Sequence, residues 1–318
     1  MGAILVTGGA GFIGSHLCER LTGQGREVIC LDAFDSFYSK KVKLQNIDSL
    51  KDAEDFHLYE GDIRDPALLE DLFGHHEVEA VVHLAARAGV RPSLEMPRLY
   101  SDVNVTGTAT LLEHARIYKV KRFVFGSSSS VYGNSDTIPL SETARADEPV
   151  SPYAATKRAG ELLCRTYHHL HGMDIACLRF FTVYGPRQRP EMAIHKFTRL
   201  IDQGEALPLF GDGSSARDYT YVDDIVAGIV AALGRGRGFQ IFNLGRSEVV
   251  SLRSLVEEIE TALGKKARIV HESEQPGDVR QTCADLTLSK SLLGYEPKIG
   301  IREGIQRFVK WYNAQPRG

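Results

Sequence analysis

The stretch Ala3-Ile4-Leu5-Val6-Thr7-Gly8-Gly9-Ala10-Gly11-Phe12-Ile13-Gly14 decides the fold of this chain. A short apolar run predicts a buried strand, and the pattern after the glycines predicts an amphipathic helix to about Leu21. Gly8 permits a tight turn, Gly11 lets the backbone approach a pyrophosphate, and Gly14 lets helix and strand pack closely. The free amides and the positive dipole end of this helix N-terminus suit phosphate groups.

An acidic residue completes this unit. The apolar run Glu27–Leu31 predicts a second strand, and it ends in Asp32, 18 residues beyond Gly14. A carboxylate at this position accepts hydrogen bonds from both ribose hydroxyls of NAD and repels the 2′-phosphate of NADP. Ala33 and Phe34 follow, without an Arg or Lys to receive a phosphate, so the sequence predicts NAD as the cofactor.

Strand and helix patterns alternate beyond this unit. They predict an α/β fold, namely a Rossmann-type doubly wound parallel sheet of six or seven strands with helices on both faces. We expect an NAD-binding domain over residues 1–180 and a smaller C-terminal α/β substrate lobe over residues 181–318, with some later segments crossing back. The further strands of the first domain are predicted at Phe56–Glu60, Glu79–Leu84, Lys121–Phe125 and Asp174–Phe180.

Composition excludes several classes of function. The 318 residues carry a net charge of −3 without a basic stripe, so no nucleic-acid partner is expected. No apolar run approaches the ~20 residues of a membrane span, and the N-terminus shows no signal peptide. The odd number and wide spacing of the cysteines predict buried apolar residues in a reducing, cytoplasmic setting, and no metal site is expected. The cysteines are Cys18, Cys30, Cys164, Cys177 and Cys283.

The residues after the later strands are candidates for ligand contacts, because ligands of doubly wound sheets bind at the carboxyl ends of strands. Asp62 suits an adenine contact or, alternatively, the N-cap of a helix from Pro66. Arg87 and Arg91 could face an anionic substrate or solvent. The other candidates for cofactor contacts are Ile63, Leu84, Ala85 and Ala86, together with Phe12 and Ile13 after the glycine turn.

Two polar patterns follow the fifth strand. The run Ser127-Ser128-Ser129-Ser130 can orient a substrate hydroxyl beside a base. Ser151 and Pro152 predict a helix start, which places Tyr153 and Lys157 four residues apart on one helical face. A neighbouring ammonium favours the phenolate and so predicts a lowered pKa for Tyr153. An isolated Tyr/Lys pair with this spacing is usually a surface feature. It indicates a catalytic role only in combination with the other motifs of the chain.

Taken together, these motifs resemble those of the extended short-chain dehydrogenases/reductases, specifically the NAD-dependent sugar-nucleotide epimerase/dehydratase group. The resemblance covers essentially the whole chain. It implies tightly held NAD, a nucleoside-diphosphate sugar substrate and a homodimer built on two-helix faces, which we place near 96–118 and 152–171. The motifs, in chain order, are Gly8-x-x-Gly11-x-x-Gly14, Asp32, Asp62, the serine run before Val131-Tyr132-Gly133, Tyr153-x-x-x-Lys157 and Arg217-Asp218.

The resemblance also implies residue roles. Tyr153 matches the catalytic base, Lys157 the residue that lowers its pKa and contacts the nicotinamide ribose, and Ser128 the hydroxyl beside the substrate, uncertain by one position. Arg217 and Arg280 match contacts to the substrate diphosphate, and Asp278 a contact to the uridine ribose. The implied reaction removes the O4 proton and the C4 hydride, turns the 4-keto sugar, and returns the hydride from NADH to the opposite face.

Two positions select among the activities of the group. Dehydratases of this group carry Asp-Glu at the positions of Ser129 and Ser130, and decarboxylases carry Glu at the position of Ser130. Because this chain has serines there and lacks these carboxylates, the resemblance implies epimerisation. The segment Phe180–Pro186 with Arg189–Ala193 is similar to UDP-glucuronate 4-epimerases. Thr182 stands where UDP-glucose 4-epimerases usually have Asn.

Arg189 beside Thr182 suits the C6 carboxylate of a uronic acid, although a contact to phosphate or solvent is the alternative. Because a β-keto acid loses CO₂ readily, the pocket should also restrain that carboxylate, with Thr182, the serine run and Arg189 as candidates. The residues leave open whether the UDP-sugar is a uronate or a neutral hexose, and in which direction the equilibrium lies. The alternatives are a UDP-glucose or UDP-N-acetylhexosamine 4-epimerase, a non-catalytic NAD-binding sensor and a one-way reductase.

Overall fold

The computed structural model describes residues 2–135, 137–272 and 281–315. Its strands are β1 (Ala3–Thr7), β2 (Val28–Asp32), β3 (Phe56–Glu60), β4 (Val78–His83), β5 (Arg122–Ser128), β6 (Asp174–Phe180), β7 (Thr182–Tyr184), β8 (Ala206–Phe210), β9 (Ala216–Tyr221), β10 (Phe239–Leu244), β11 (Val249–Ser251) and β12 (Arg268–Glu272). Its α-helices are α1 (Phe12–Thr22), α2 (Lys40–Asn46), α3 (Pro66–His75), α4 (Val90–Glu95), α5 (Pro97–Ser101), α6 (Gly107–Ile117), α7 (Pro152–His171), α8 (Ala193–Gln203), α9 (Val222–Arg235), α10 (Leu252–Leu263) and α11 (Ile301–Ala314).

Seven parallel strands form the central sheet, in the order β10-β6-β5-β4-β1-β2-β3. The chain builds outward from β1 to β3 and then crosses to β4 on the other side of β1. This reversal opens a crevice at the carboxyl ends of β1 and β4. The predicted α/β fold with a doubly wound parallel sheet is confirmed.

Both faces of the sheet are covered, which explains the continuous apolar strand runs. Ile4 and Val6 of β1 pack into one apolar layer with residues of α1 and α9, whereas Ala3 and Leu5 pack into the opposite layer with residues of α3 and α6. The five cysteines are free and buried, as predicted. In the described part of the chain, no helix is long and apolar enough to cross a membrane.

The later residues form smaller sheets beside this core. Strands β11, β9 and β7 make a three-stranded sheet, and β12 pairs with β8. Strand β10 returns to the central sheet and α9 packs against α1, so the two parts are interwoven. The segment Phe181–Pro190 contains the short strand β7, in which Thr182 pairs with Tyr219 of β9. The boundary at residue 180 stays a prediction.

Candidate active site

The carboxyl ends of the central strands border a cleft of about 570 Å³. Every residue predicted for catalysis or cofactor binding lines it, together with five of the residues predicted for the substrate. These are Gly8, Gly11, Phe12, Ile13, Gly14, Asp32, Asp62, Ile63, Leu84, Ala85, Ala86, Ser128, Ser129, Ser130, Tyr153, Lys157, Thr182 and Arg189. The parallel sheet brings them together because most of them stand at a strand's carboxyl end or on the helix turn that follows one.

The glycine turn after β1 has no room for side chains. Gly8 has a φ of +69°, which disfavours any residue with a Cβ, and the amide of Gly11 donates to the Gly8 carbonyl at 3.1 Å. A Cβ on Gly14 would collide with the backbone of Gly8 and Gly9. The start of α1 therefore lies directly against the cleft, and its backbone fits the pyrophosphate of a dinucleotide.

Asp32 is buried at the end of β2 and accepts several hydrogen bonds. The amides of Ala10 and Phe34 donate to it at 3.2 and 2.8 Å, and the ammonium of Lys43 lies 3.1 Å from Oδ1. The two residues that follow Asp32 bring no cation to it, but a cation from a later helix lies beside the carboxylate. Helix α2 returns Lys43 to Asp32 from eleven positions further along the chain.

Asp62 follows β3 and lines the cleft, but it does not cap a helix. Its carboxylate accepts hydrogen bonds from the backbone and the guanidinium of Arg64, which lower the pKa of Asp62. The helix that starts at Pro66 is capped by Asp65, whose Oδ1 accepts from the amides of Ala67 and Leu68. The alternative interpretation of Asp62 as the N-cap is therefore wrong.

Helix α7 presents Tyr153 and Lys157 to the cleft. Its N-cap is Ser151, as predicted, with Oγ accepting from the Ala154 amide at 3.2 Å. The ammonium of Lys157 donates to the Gly126 carbonyl of β5 at 2.6 Å, and burial lowers the pKa of Lys157 to about 8. Both side chains line the cleft together with the serine run.

The pKa of Tyr153 departs from the prediction. Burial raises it, and a hydrogen bond with Ser128 and the charge of Arg189 oppose that rise without overcoming it. The predicted lowering by Lys157 is wrong for this structure. The reason is that desolvation of the phenolic oxygen outweighs the nearby favourable groups.

The serine run divides into different environments. Ser127 is buried, and its hydroxyl donates to Glu161 at 2.6 Å. The hydroxyl of Ser128 bonds to Tyr153 and lies 3.1 Å from that of Ser130. Ser128 thus lies beside the phenol of Tyr153, and its role beside the substrate stays a prediction.

Arg189 and Thr182 lie in the same cleft as Tyr153. The guanidinium of Arg189 is 3.1 Å from Glu191 and packs against the ring of Phe37, with 5.2 Å between the guanidinium carbon and the ring centroid. Arg87 packs against the same ring at 5.3 Å. The charge of Arg189 acts on Tyr153, so a group bound to Arg189 would lie near the phenol.

Some of the predicted contacts fall elsewhere. Arg217, on β9, does not line the cleft, and its Nη1 donates to the carbonyl of Ala216 at 2.9 Å. Asp278 and Arg280 lie outside the described residues. Arg91 packs against Phe210 at 5.3 Å.

Asn104 does not line the cleft, but it supports residues that do, and the sequence did not predict this role. It lies in a π-helical turn, Asp102–Thr106, between α5 and α6. Its amide bonds to both backbone groups of Arg87 and donates to Thr156 at 2.9 Å. Asn104 thereby joins the loop after β4 to α7 beside Lys157. The signal that could have revealed it is a buried polar residue on an apolar helical face.

A family model described as GDP-mannose 4,6 dehydratase matches residues 5–308. The chain belongs to this family, a branch of the extended short-chain dehydrogenases/reductases. Relatives within the family cover the chain almost completely. A protein of Thermodesulfobacterium geofontis described as UDP-glucuronate 4-epimerase is 44% identical over 98% of this chain and 96% of its own length.

Solved structures of family members have the same architecture. UDP-glucuronic acid 4-epimerase of Bacillus cereus, crystallised with UDP-glucuronic acid and NAD, is 37% identical and superposes with a TM-score of 0.91. That comparison covers 98% of this chain and 99% of the other. UDP-glucose 4-epimerase of Thermotoga maritima, crystallised with UDP-glucose, is 34% identical, also with a TM-score of 0.91, over 98% of both chains.

Proposed function

We propose that this protein is a NAD-dependent UDP-glucuronate 4-epimerase that interconverts UDP-glucuronate and UDP-galacturonate. The observation that carries the proposal is the placement of Arg189 and Thr182 in one cleft with Tyr153, where the charge of Arg189 acts on the phenol. A guanidinium and a hydroxyl form a receptor for the C6 carboxylate of a uronic acid. C6 is two bonds from C4, so a carboxylate held by Arg189 brings the C4 hydroxyl close to Tyr153.

The cleft fits a dinucleotide along its whole length. The amides at the start of α1 and the glycines that exclude Cβ atoms suit the pyrophosphate, and Asp32 suits the adenosine ribose. Lys157 suits the second ribose. The oxidised nicotinamide, when bound, supplies a positive charge and a hydride acceptor for C4.

The residues around C4 would handle its proton. Tyr153 accepts the proton of the sugar O4 as its phenolate, which Ser128 stabilises by its hydrogen bond and Arg189 by its positive charge. The same Tyr153 returns the proton after the sugar has turned. Ser129 and Ser130 offer no carboxylate for proton transfer at C5 or C6, which favours epimerisation over dehydration.

The carboxylate contacts have a second consequence. A 4-keto uronic acid is a β-keto acid and loses CO₂ when its carboxylate bond aligns with the keto π-system. We infer that Arg189, Thr182 and the serine run hold the carboxylate out of that alignment. Replacement of Arg189 should then release some decarboxylated pentose product along with the slower epimerisation.

The deciding experiment follows the C4 configuration by proton NMR. Purified protein is incubated without added cofactor, separately with UDP-glucuronate and UDP-glucose. Conversion of the acid alone supports a uronate epimerase with retained NAD. Conversion of the neutral sugar alone would replace the proposal by a UDP-glucose 4-epimerase, and no conversion of either would favour a sensor or a one-way reductase.

Arg189→Ala tests the carboxylate contact itself. Loss of a charged hydrogen bond of about 1.5–3 kcal/mol predicts a rise of about 10- to 100-fold in KM for UDP-glucuronate. Arg199→Ala is a matched control, because Arg199 is an exposed arginine of α8 paired with Glu205. An unchanged KM in Arg189→Ala would contradict the assignment.

We further propose a cytoplasmic homodimer that associates through α6 and α7. These helices pack against each other, and Leu162 and Leu170 of α7 are 49% and 64% exposed. A partner covering them would bury apolar area that water now contacts. Light scattering coupled to size-exclusion chromatography should give a mass in solution of twice the chain mass of 35.2 kDa. Leu162→Arg should lower this mass toward that of the monomer.

A further inference from the structure

Glu27, His57 and His76 converge at the amino ends of β2 and β3, on the opposite edge of the sheet from the cleft. Within the described residues, their ligand atoms form a group in which all lie within 4.8 Å of one another. Nε2 of His57 is 3.2 Å from Oε1 of Glu27, and Nδ1 of His76 is 3.6 Å from the same oxygen. No sequence motif marks this group, because its members are far apart in the chain.

The fold explains the convergence. His57 pairs in register with Ile29, so its side chain lies on the face of the sheet that also carries Glu27, two residues before Ile29. Helix α3 covers that face and ends at His75, with His76 as its C-cap. The cluster thus joins two parallel strands to the helix that packs on them.

We propose that Glu27, His57 and His76 bind one Zn²⁺ ion, which links β2, β3 and α3. Zinc is bound by histidine nitrogens at about 2.0–2.1 Å and by carboxylate oxygens at about 2.0–2.2 Å, usually in tetrahedral geometry. Ligand atoms around such an ion are separated by about 3.3 Å. The observed separations of 3.2 and 3.6 Å from Glu27 are close to that value.

A partner of His76 outside the ligand set supports the assignment. Nε2 of His76 lies 2.8 Å from the hydroxyl of Tyr59, and the two rings meet edge to face. With Nδ1 as the ligand atom, the neutral imidazole carries its proton on Nε2 and donates it to Tyr59. Metal-ligating histidines characteristically donate their second N–H in this way, which fixes the ring orientation.

Exposure and charge agree with a site that accepts an ion from solvent. His76 is 15% exposed, whereas His57 and Glu27 are 37% and 39% exposed, which leaves an open side for water as the fourth ligand. The neighbouring cation Arg26 is paired with Glu79 at 3.3 Å. Two imidazoles select zinc over Mg²⁺ and Ca²⁺, which prefer oxygen ligands.

The role of such an ion would be structural. Strands β2 and β3 carry Asp32 and Asp62 at their other ends, so the ion would stabilise the half of the sheet proposed to hold the adenosine. An ion that binds only the folded chain raises its stability by mass action. No step of the proposed reaction involves this edge of the sheet.

The test uses the untagged full chain and zinc itself, and its readouts do not depend on activity. We expect equilibrium dialysis to give one zinc per chain, and zinc to raise the Tm by about 2–5 °C. Glu27→Gln, His57→Asn and His76→Gln should each weaken zinc binding at least about 10-fold, and Tyr59→Phe about 10-fold. The control His75→Gln changes an adjacent histidine that pairs with Asp71 and is 68% exposed, and it should bind zinc normally.

Two outcomes would overturn the proposal. One is no zinc uptake at millimolar concentration by the wild-type chain. The other is uptake that persists unchanged in Glu27→Gln, His57→Asn and His76→Gln, which would assign the ion to other groups such as cysteines. Circular dichroism of each metal-free variant verifies that the fold is intact before binding is compared.

Discussion

The ammonium of Lys43 lies 3.1 Å from Oδ1 of Asp32, and both side chains are buried in the wall of the cleft. This pair changes how the carboxylate discriminates between dinucleotides. We expect Asp32 to repel a 2′-phosphate and also to pair with the nearby ammonium of Lys43, which would otherwise attract this phosphate. Lys40, on the first turn of the same helix, is likewise occupied, since its ammonium is 2.6 Å from both carboxylate oxygens of Glu60.

Replacing Asp32 by Ala should weaken NAD binding by about 10- to 100-fold, the range for loss of charged hydrogen bonds. It should also strengthen NADP relative to NAD, because the ammonium of Lys43 is released. The double variant Asp32→Ala/Lys43→Met is the matched control and should lose NAD without the gain in NADP. Calorimetric titration with both dinucleotides measures these changes. An unaltered preference for NAD over NADP in Asp32→Ala would mean that another residue recognises the ribose.

Replacing Tyr153 by Phe should reduce kcat at least about 10²-fold while folding and NAD binding stay intact. The hydroxyl removed is the one that bonds to Ser128 in the cleft. Tyr100→Phe is a suitable control, because its ring packs edge to face on that of Tyr153 but its hydroxyl donates to the carbonyl of Ala88. Turnover measured by NMR should distinguish the two variants, and absorbance measures whether each of them retains NAD. A mild effect of Tyr153→Phe would remove Tyr153 from the role of base.

The sequence was sufficient to predict the sheet and the glycine turn because both depend on local patterns. Apolar runs such as Ala3–Thr7 mark strands that are buried on both faces, and Gly14 is required by its contact with Gly8. A parallel sheet then brings the residues after each strand to one edge, so Asp32 and the serine run could be placed in one site from the sequence alone.

Other features depended on tertiary contacts that no local pattern records. Lys43 reaches Asp32 only because of the path of α2, and the helix from Pro66 is capped by Asp65 although Asp62 also precedes it. The pKa of Tyr153 depends on how deeply its hydroxyl is buried, and this depth cannot be read from a spacing of four residues. The pairing of Thr182 with Tyr219 likewise joins distant segments.

The stability of the folded chain should depend on pH through Lys157. Burial lowers the pKa of Lys157 to about 8, below the ordinary value near ~10.4. Between these values the unfolded chain binds one more proton than the folded chain, so the free energy of unfolding rises with pH across this window. The rise from this group is at most about 3 kcal/mol, and none is expected below about pH 7.

Lys157→Met isolates that contribution from those of other groups. From about pH 7.5 to about pH 9.5, the free energy of unfolding of the wild type should rise relative to that of Lys157→Met. Urea titrations at several pH values measure it, with Lys51→Met, at an exposed lysine, as the control. A difference that stays constant with pH would mean that Lys157 keeps its ordinary pKa in the folded chain.

Glu161 and Arg179 form a buried ion pair at 2.8 Å directly behind the serine run. Burial alone would raise the pKa of Glu161, but the hydrogen bond and charge of Arg179 lower it overall. Glu161 also accepts a hydrogen bond from the hydroxyl of Ser127. The guanidinium carbon of Arg179 lies 4.6 Å from the centroid of the Tyr132 ring. The pair therefore fixes the segment that presents Ser128 to Tyr153.

Glu161→Gln should lower the free energy of unfolding by about 3–5 kcal/mol, because it leaves the guanidinium of Arg179 buried without a counter-charge. Arg158→Gln is the matched control. Arg158 pairs with the same carboxylate at 3.1 Å but is 25% exposed, so its loss should cost less than about 1 kcal/mol. Chemical denaturation of both variants gives the comparison. Equal losses in the two variants would show that the depth of burial does not govern the strength of this network.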